Sequence, residues 1–281
     1  MPDVVVFSDA GSFLERAERW LREREDANNL FLSLAYARAA APLEEERDVF
    51  YATVETDGEV VGCVMRTPPH KVLLTHLPAA AAQAIAQALE QRFETIPSVL
   101  GPREEAVAVA EQWIRVKGGG WSEGMHQRLY RLDVVDPPGG VEGRLRLAGS
   151  DDVDLTTEWG GDFTRETGVG PPPSRAGMAA RILDGDVFVW DVGGEPRSMA
   201  VASGRTPRGV RVGYVYTPPK HRRHGYASGL VASLSQRLLD DGSDFCMLYT
   251  DLSNPTSNAI YERLGYRPLH DVVDIEVRPG G

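Results

Sequence analysis

The sequence offers little that would point to a membrane-spanning or disulfide-bonded protein. No apolar run reaches the roughly 18 residues that a transmembrane helix needs, and the opening MPDVVVFSDAGSF lacks a basic segment followed by a long apolar stretch. We therefore expect no signal peptide, no membrane partner and a cytoplasmic location. The cysteines Cys63 and Cys246 each lie inside an apolar, strand-like run. That placement favours buried thiols in a reducing compartment over a disulfide or a metal pair.

Positive charge is scarce as well. Lys and Arg number 30 against 41 Asp and Glu, which gives a formal net charge of −11, so we expect no binding to nucleic acid. Against that background the run KHRRH at 220–224 stands out. A solvated surface patch and a site for a specific anion both fit it. His221 and His224 have a spacing that metal ligands use, but the neighbouring cations argue against a metal.

Several signatures of common enzyme classes are missing. The sequence has no zinc-type cluster, no nucleophile elbow and no Walker loop, which argues against the hydrolases and nucleotide triphosphatases that use them. The length of 281 residues is comfortable for two domains. The stretch DPPGG at 136–140 has linker chemistry, with two fixed φ angles followed by two flexible residues, and it divides the chain near its middle.

Both halves have nearly the same predicted order of elements, which indicates a repeat of architecture with little residue identity. In the second half the patterns predict strands at 144–147, 187–192, 199–203, 210–216, 245–250 and 272–277, and helices at 151–166, 174–183, 225–239 and 255–264. In the first half they predict strands at 4–7, 50–55, 60–66, 72–76, 98–100 and 127–132, and helices at 12–25, 30–40, 79–93 and 103–116. The fold class is therefore α/β.

The most informative segment is YVYTPPKHRRHGYAS at 214–228. A strand ends, two prolines stop the sheet ladder, a short cationic loop follows, and a helix begins near Gly225. The first N–H groups of a helix lack intrahelical partners and the helix dipole adds partial positive charge there, so this arrangement binds anions. Arg222 and Arg223 add forked donors. Several donors along one turn suit a pyrophosphate better than a single carboxylate.

These residues carry a resemblance to a known family. Arg222-x-x-Gly225-x-Ala227 after a strand and a proline resembles the acyl-CoA pyrophosphate loop of the GCN5-related N-acetyltransferases (GNAT). Downstream, NPTSNAIYERLGY at 254–266 is similar to the last-helix signature of that family. The two motifs and the strand order cover about residues 143–277.

The resemblance implies two tandem GNAT-like domains, each with a mixed, mostly antiparallel central sheet flanked by helices. Residues 1–135 would form a degenerate domain without a cofactor loop, 136–142 a linker, and 143–281 the catalytic, acetyl-CoA-binding domain. The loop of the first half that corresponds to the cationic one, LTHLPAAA at 74–81, has neither arginine nor glycine. We therefore expect it to lack a phosphate cradle.

The resemblance also implies roles for individual residues. Backbone amides at the end of the strand would hold the pantetheine and polarise the thioester carbonyl, those of the loop would bind the pyrophosphate, and two asparagines would contact the pantetheine arm. The implied cofactor-binding residues are Val215, Tyr216, Thr217, Arg222, Arg223, His224, Gly225, Tyr226, Ala227, Ser228, Asn254 and Asn258. Tyr261 would give a proton to the departing thiolate after direct attack by the amine.

One departure from the family concerns the general base. Many members have a glutamate early in the strand that leads into the loop, whereas this chain has VRVG at 210–213. Glu158, Asp162 and Glu166, on the first helix of the second half, are candidates if they face a substrate cleft, but solvent-facing charges are the favoured explanation. A chain of waters is an alternative to a carboxylate base. Trp159 and Phe163 lie on the same helix and border the substrate side of the resembled fold.

The expected activity is transfer of an acetyl group from acetyl-CoA to a primary amine of a small molecule or peptide. A non-catalytic acyl-CoA sensor and a transferase for another acyl group are the alternatives. Transfer from aminoacyl-tRNA is disfavoured by the CoA-like loop and by the negative net charge. That charge favours a cationic acceptor through long-range attraction. The sequence leaves the acceptor and the oligomeric state open, a homodimer included.

Overall fold

The computed structural model describes residues 2–40 and 49–280. The chain divides into two compact units. The first consists of Met1–Leu129, Asp251–Ser253 and Leu269–Gly281, and the second of Tyr130–Thr250 and Asn254–Pro268. No helix among the described residues is long and apolar enough to cross a membrane.

The elements of the first half lie close to the predicted ones. They are β1 (Asp3–Phe7), α1 (Ala10–Glu23), α2 (Asn29–Ala40), β2 (Phe50–Thr56), β3 (Glu59–Arg66), β4 (Val72–Leu74), α3 (Ala82–Glu90), β5 (Ser98–Gly101), α4 (Arg103–Lys117) and β6 (Gly120–Leu132). β4 is shorter than predicted because Thr75, the next residue, turns its hydroxyl to the backbone N–H of Cys63 at 2.9 Å. β6 is longer than predicted.

The second half follows the predicted order too. Its elements are β7 (Arg144–Leu147), α5 (Val153–Thr167), α6 (Arg175–Leu183), β8 (Val187–Val192), β9 (Glu195–Ser203), β10 (Gly209–Tyr216), α7 (Tyr226–Asp240), β11 (Phe245–Asp251), α8 (Pro255–Arg263) and β12 (Arg267–Arg278). Cys63 and Cys246 are buried free thiols, as predicted.

In the first unit an antiparallel ladder runs from β1 through β2 and β3 to β4, and β4 pairs in parallel with β5. Alternate residues of β2 serve opposite faces, as the pleat requires. Tyr51 stacks on Phe13 of α1, whereas Phe50 lies in the core cluster that includes Trp113 of α4. The sheet therefore has helices on both faces.

The C-terminal strand belongs to this first unit. The predicted second domain, 143–281, was expected to keep its closing strand, but β12 pairs antiparallel with β5 from Val273↔Gly101 to Glu276↔Ser98. Val273 and Ile275 are buried in the core beneath α3 and α4. Burial of these side chains explains why Leu269–Gly281 groups with residues distant in sequence.

In the second unit β7, β8, β9 and β10 form an antiparallel ladder, and β10 pairs in parallel with β11. α5 and α6 cover one face, where Trp159 and Met178 pack on Val189 and Met199. α7 covers the other face with Leu230, Val231, Leu234 and Leu238. The predicted fold class, a mostly antiparallel central sheet flanked by helices, is confirmed.

A charged cluster joins the start of this unit to its sheet. Arg146 on β7 donates to Asp152, just before α5, at 2.6 and 3.0 Å, and to Asp191 on β8 at 2.9 Å. Both carboxylates are buried. The guanidinium hydrogen bonds are the largest cause that lowers the pKa of each carboxyl. Arg146 thus satisfies two buried acids at once.

Replacing Arg146 by methionine should destabilise the protein by about 3 kcal/mol, because two buried carboxylates lose their cation. Urea unfolding followed by circular dichroism measures the change. Arg175→Met is the matched control, since Arg175 pairs with Asp154 on the surface and both side chains are exposed. Equal stability of the Arg146 variant and the control would contradict the assigned role.

Candidate functional site

The central feature of the second unit is the separation of two parallel strands. β10 and β11 pair over Gly209↔Phe245, Val210↔Cys246 and Arg211↔Met247. Among the described residues the register of this pair ends there, although β10 continues to Tyr216 and β11 to Asp251. Beyond Arg211 the strands therefore form an open wedge, and β10 keeps only its antiparallel partner β9.

A backbone irregularity lies on the open side of the wedge. The register between β10 and β9 shifts between Gly213 and Tyr216, and Tyr214 has a φ of +49°. A bulky residue in the left-handed region costs on the order of 1–3 kcal/mol and persists only where its surroundings impose it. The bulge re-aims the residues after it, which include the predicted Val215, Tyr216 and Thr217.

Ser198 fixes the end of the strand. Its hydroxyl is fully buried and donates to the carbonyl oxygen of Tyr216 at 2.8 Å. The hydroxyl of Thr217 donates to Ser198 Oγ, also at 2.8 Å. The backbone of this segment is therefore held from the β9 side and not from the β11 side.

The cationic loop delivers the chain to the start of α7. A 3₁₀ turn over Pro219–His221 is followed by two residues with left-handed φ, Arg223 at +68° and Gly225 at +80°. A Cβ at Gly225 would lie 3.2 Å from Val141 Cγ2, so the position is tight as well as left-handed. Glycine is the residue that meets both demands.

The N-terminus of α7 presents backbone donors. Its first intrahelical bond runs from Gly229 N–H to the Gly225 carbonyl at 2.9 Å. The N–H groups of Tyr226, Ala227 and Ser228 precede that bond and have no acceptor within the helix. No side chain caps this end. The helix dipole adds partial positive charge at the same place.

The side chains around this terminus are cationic or aromatic. Lys220 and Arg223 are exposed, and no carboxylate of the described residues lies within ion-pair distance of either. His224 donates from Nδ1 to the Arg222 carbonyl at 2.8 Å and stacks on Tyr226 with ring centroids 5.3 Å apart. Burial, and next the charge of Arg197, lowers the pKa of His221. A neutral His221 is favoured in this setting.

Arg222 has partners that the sequence did not indicate. Its Nε donates to the Thr217 carbonyl at 2.9 Å, and its Nη2 donates to both carboxylate oxygens of Glu166, at 2.9 and 2.6 Å. The guanidinium carbon lies 5.7 Å from the centre of the Tyr216 ring. Arg222 thus ties the loop to α5.

Of the three carboxylates proposed as bases, two surround the hydroxyl of Tyr216. That hydroxyl donates to Glu166 at 3.0 Å, and Asp162 lies 3.5 Å away. Asp162 also accepts from Arg165 at 2.6 Å. Burial, and next the bond to Glu166, raises the pKa of Tyr216 to about 12. Glu158 is exposed to solvent.

The two asparagines of the last-helix motif have roles in the structure of α8. Asn254 caps the helix, since its Oδ1 accepts from Ser257 N–H at 3.1 Å. Asn258 donates from Nδ2 to the Asn254 carbonyl at 2.9 Å and accepts from the Tyr130 hydroxyl at 3.4 Å. Both side chains hold the start of α8 in place beside the end of β11.

Tyr261 lies on the same helix. It is half-buried, and its ring meets that of Tyr266 edge-on with centroids 5.9 Å apart. Tyr266 is in turn fixed by a 2.8 Å hydrogen bond with Ser235 of α7. Burial raises the pKa of Tyr261 to about 12. Its phenol is therefore protonated at neutral pH.

The equivalent place in the first unit is closed by apolar side chains. β4 and β5 pair over Val72↔Val99 and Leu73↔Leu100 and then separate. Leu77 packs so closely on Gly62 that a Cβ there would lie 2.3 Å from Leu77 Cδ2. The lack of a phosphate cradle in the first half stays a prediction.

Replacing Glu166 by glutamine should lower the pKa of Tyr216 from about 12 toward the ordinary 10. The neutral amide no longer disfavours a phenolate and the charge of Arg222 still favours it, whereas burial, the largest cause of the raised pKa, remains. Titration of ¹³C-tyrosine resonances measures the shift. Glu158→Gln on the exposed face of α5 is the control, and an unmoved Tyr216 in the Glu166 variant would contradict the contact.

Comparisons with known proteins bear on the same segment. Residues 194–273 match the family model described as FR47-like protein, which is GNAT-related. This range contains β10, the cationic loop, α7 and the last-helix motif. A search of curated proteins gave no match.

Solved structures resemble the whole chain. A Drosophila protein superposes with a TM-score of 0.71 at 14% identity over 100% of both chains. A GCN5-related N-acetyltransferase from Sphaerobacter thermophilus gives 0.65 at 14% identity over 99% of this chain and 96% of its own. A tandem GNAT protein from the clavulanic acid biosynthesis pathway gives 0.54 at 16% identity over 100% of this chain and 99% of its own.

These likenesses show the fold, and the family model adds a sequence match over residues 194–273, most of which lie in the second unit. The resemblance to the GCN5-related N-acetyltransferases is thereby confirmed, and the chain has the fold of their tandem members.

Proposed function

We propose that this chain is an N-acetyltransferase that transfers the acetyl group of acetyl-CoA to a primary amine by direct attack. The observation that carries the proposal is the wedge between β10 and β11, which opens beside a cationic loop and the uncapped N-terminus of α7. The GNAT fold and the family match over residues 194–273 support acyl transfer in general. Acetyl-CoA and the amine acceptor are the specific parts of the proposal.

The backbone would do most of the binding. Amides from Arg223 to Ser228 would hold the pyrophosphate at the start of α7, where unpaired N–H groups and the helix dipole favour an anion. Amides of Val215, Tyr216 and Thr217, at the open edge of β10, would hold the pantetheine and polarise the thioester carbonyl. Arg223 and Lys220 add exposed charge. Acetyl-CoA supplies the activated acyl group.

Arg222 and the asparagines act differently in this proposal from the direct contacts that the sequence suggested. Arg222 positions the loop through Glu166 and the Thr217 carbonyl. Asn254 caps α8 and Asn258 bonds to its first turn, so they hold the helix that presents Tyr261. If the side-chain amide of Asn254 or Asn258 also contacts the pantetheine, that residue has both a structural role in α8 and a role in cofactor binding.

Tyr261 is the proposed proton donor to the leaving thiolate. A phenol that burial keeps neutral can stand near a developing negative sulfur without repelling it. Its ring is held by Tyr266 on one side. The structure assigns no comparable group as the base, because Asp162 and Glu166 are both bonded to arginines.

Calorimetric titration with acetyl-CoA should show one site per chain, and Gly225→Glu should abolish it. The substitution puts a carboxylate and a strained left-handed residue at the anion site. Gly242→Glu is the matched control, because Gly242 has a φ of +104° and follows the other end of α7. Thermal melts verify folding of both. Two sites would mean that the first unit also binds, and the absence of binding would remove the proposal.

Replacing Tyr261 by phenylalanine should lower kcat by about 10²–10⁴-fold, the usual contribution of a positioned proton donor. The affinity for acetyl-CoA should stay the same, since the ring and its packing on Tyr266 are kept. Turnover is followed by release of free thiol with the best amine of a primary-amine panel. Unchanged kcat would exclude Tyr261 as the donor. Binding without transfer to any amine would favour the non-catalytic sensor.

A further inference from the structure

The face of the wedge under α5 and α6 carries a pair of arginines that the proposed CoA site does not use. On β10, Val210 and Val212 point to the core beneath α7, so Arg211 between them points to the opposite face. On β11, Cys246 and Leu248 share the α7 core, which places Tyr249 on the α5–α6 face with Arg211. This face is the one opposite α7 and its anion site.

Arg211 lies where the wedge begins. Its residue pair with Met247 is the last one between β10 and β11. Its guanidinium is pressed against the turn after β9, since a Cβ on Gly204 would lie 2.5 Å from Nη2 and 2.6 Å from Cζ. Tyr249 acts electrostatically on it. A half-buried cation is thus fixed at the apex of the opening.

Arg181 on α6 approaches the same region from the helix side. Its guanidinium carbon lies 6.0 Å from the ring centre of Tyr214, the residue at the bulge. That ring also packs on Phe163 with centroids 5.0 Å apart. Arg181 is half-buried, and no carboxylate within the described part of the chain comes within ion-pair distance of it. Its contact is an aromatic face.

The two arginines act on each other. Burial, and after it the charge of Arg181, lowers the pKa of Arg211, with Tyr249 acting in the other direction. A guanidinium stays charged in proteins even so. The two like charges repel each other, and a carboxylate bound to both guanidiniums would offset this repulsion.

We propose that Arg181 and Arg211 bind a carboxylate of the acceptor, so that the acceptor is an amine that also carries a carboxylate. This inference rests on the proposed transferase function. Guanidinium forks match the planar carboxylate and form strong, charge-assisted hydrogen bonds with it. The phosphates of CoA are not the ligand here, because they belong at the start of α7, on the other face of the sheet.

The proposed acceptor carries a carboxylate besides the cationic amine that the net charge favours. Its two ends would lie in two environments: the carboxylate end at Arg181 and Arg211, and the amine toward the amides of Val215–Thr217 at the open end of β10. Tyr214, held in its left-handed conformation, lies between the two and contacts Arg181. Side chains on the α5–α6 face would therefore determine which class of acceptor binds.

The test measures acceptor binding without requiring turnover. Arg211 and Val215 are four strand residues apart, about 13 Å, so the probes are ω-amino acids of increasing length, from 4-aminobutanoate to 8-aminooctanoate. The protein is saturated with free CoA and titrated by calorimetry with each of them beside its carboxamide, which keeps the size and removes the charge. Carboxylates should bind at least about tenfold more tightly than their carboxamides, as a charged hydrogen-bonded pair predicts. Phosphoethanolamine and ethanolamine form a further pair that distinguishes a phosphate from a carboxylate.

Arg181→Gln should remove the preference for the carboxylate, and Arg181→Lys should keep part of it. Arg175→Gln on the same helix should leave it intact, since Arg175 is exposed and paired with Asp154. Arg211→Lys tests the second cation with little change in volume. A change in folding alone would alter both members of a pair equally and would not remove the preference.

Equal binding of carboxylates and carboxamides, or no binding of any carboxylate, overturns the inference. So does a preference that survives Arg181→Gln. A phosphate preference reassigns the anion and overturns the carboxylate. The anion site and the transferase function can fail separately. Acetyl transfer to amines that lack a carboxylate, with no preference for those that carry one, would uphold the transferase and reject the anion site. Discriminating binding without transfer would uphold the anion site and reject the transferase.

Discussion

The parting of β10 from β11 is the constraint on which the rest of the second unit depends. Once Arg211 and Met247 have paired, the open edge of β10 lacks a strand partner, and backbone N–H groups left that way need another acceptor. A bulge at Tyr214 and the buried Ser198 hold this edge in place from the β9 side. The edge therefore keeps a fixed shape although it has no strand partner on that side.

The same opening explains how contacts from distant segments become useful. The loop after β10 is tied to α5 by Arg222 and Glu166, two residues 56 positions apart in sequence. That tie sets where the uncapped start of α7 lies relative to the strand edge. The positions of the wedge, the loop and the helix terminus therefore depend on one another, and a displacement of α5 would also displace the N–H groups at the start of α7.

What the sequence predicted well was local. Two prolines, a glycine and a helical pattern are close together in the chain, so the strand, loop and start of α7 could be read directly. What it could not predict was set by contacts between distant residues: the pairing of Arg222 with Glu166, the bulge at Tyr214, and the strand β12 that completes the first unit. Strand pairing depends on residues that are far apart in sequence. The segment 120–126 lacks the apolar alternation that predicts a strand, so the first part of β6 was not predicted.

The net charge of the chain and the charges near the site act on an acceptor over different distances. A net charge of −11 acts at long range, but salt screens exposed charges beyond about 8–10 Å. Within that distance a ligand on the α5–α6 face meets the guanidiniums of Arg181 and Arg211. An amine that carries a carboxylate is close to neutral overall, so the acidic surface neither attracts nor repels it strongly. Its recognition would depend on the positions of the side chains that contact its carboxylate and its amine, and amino-acid composition does not give those positions.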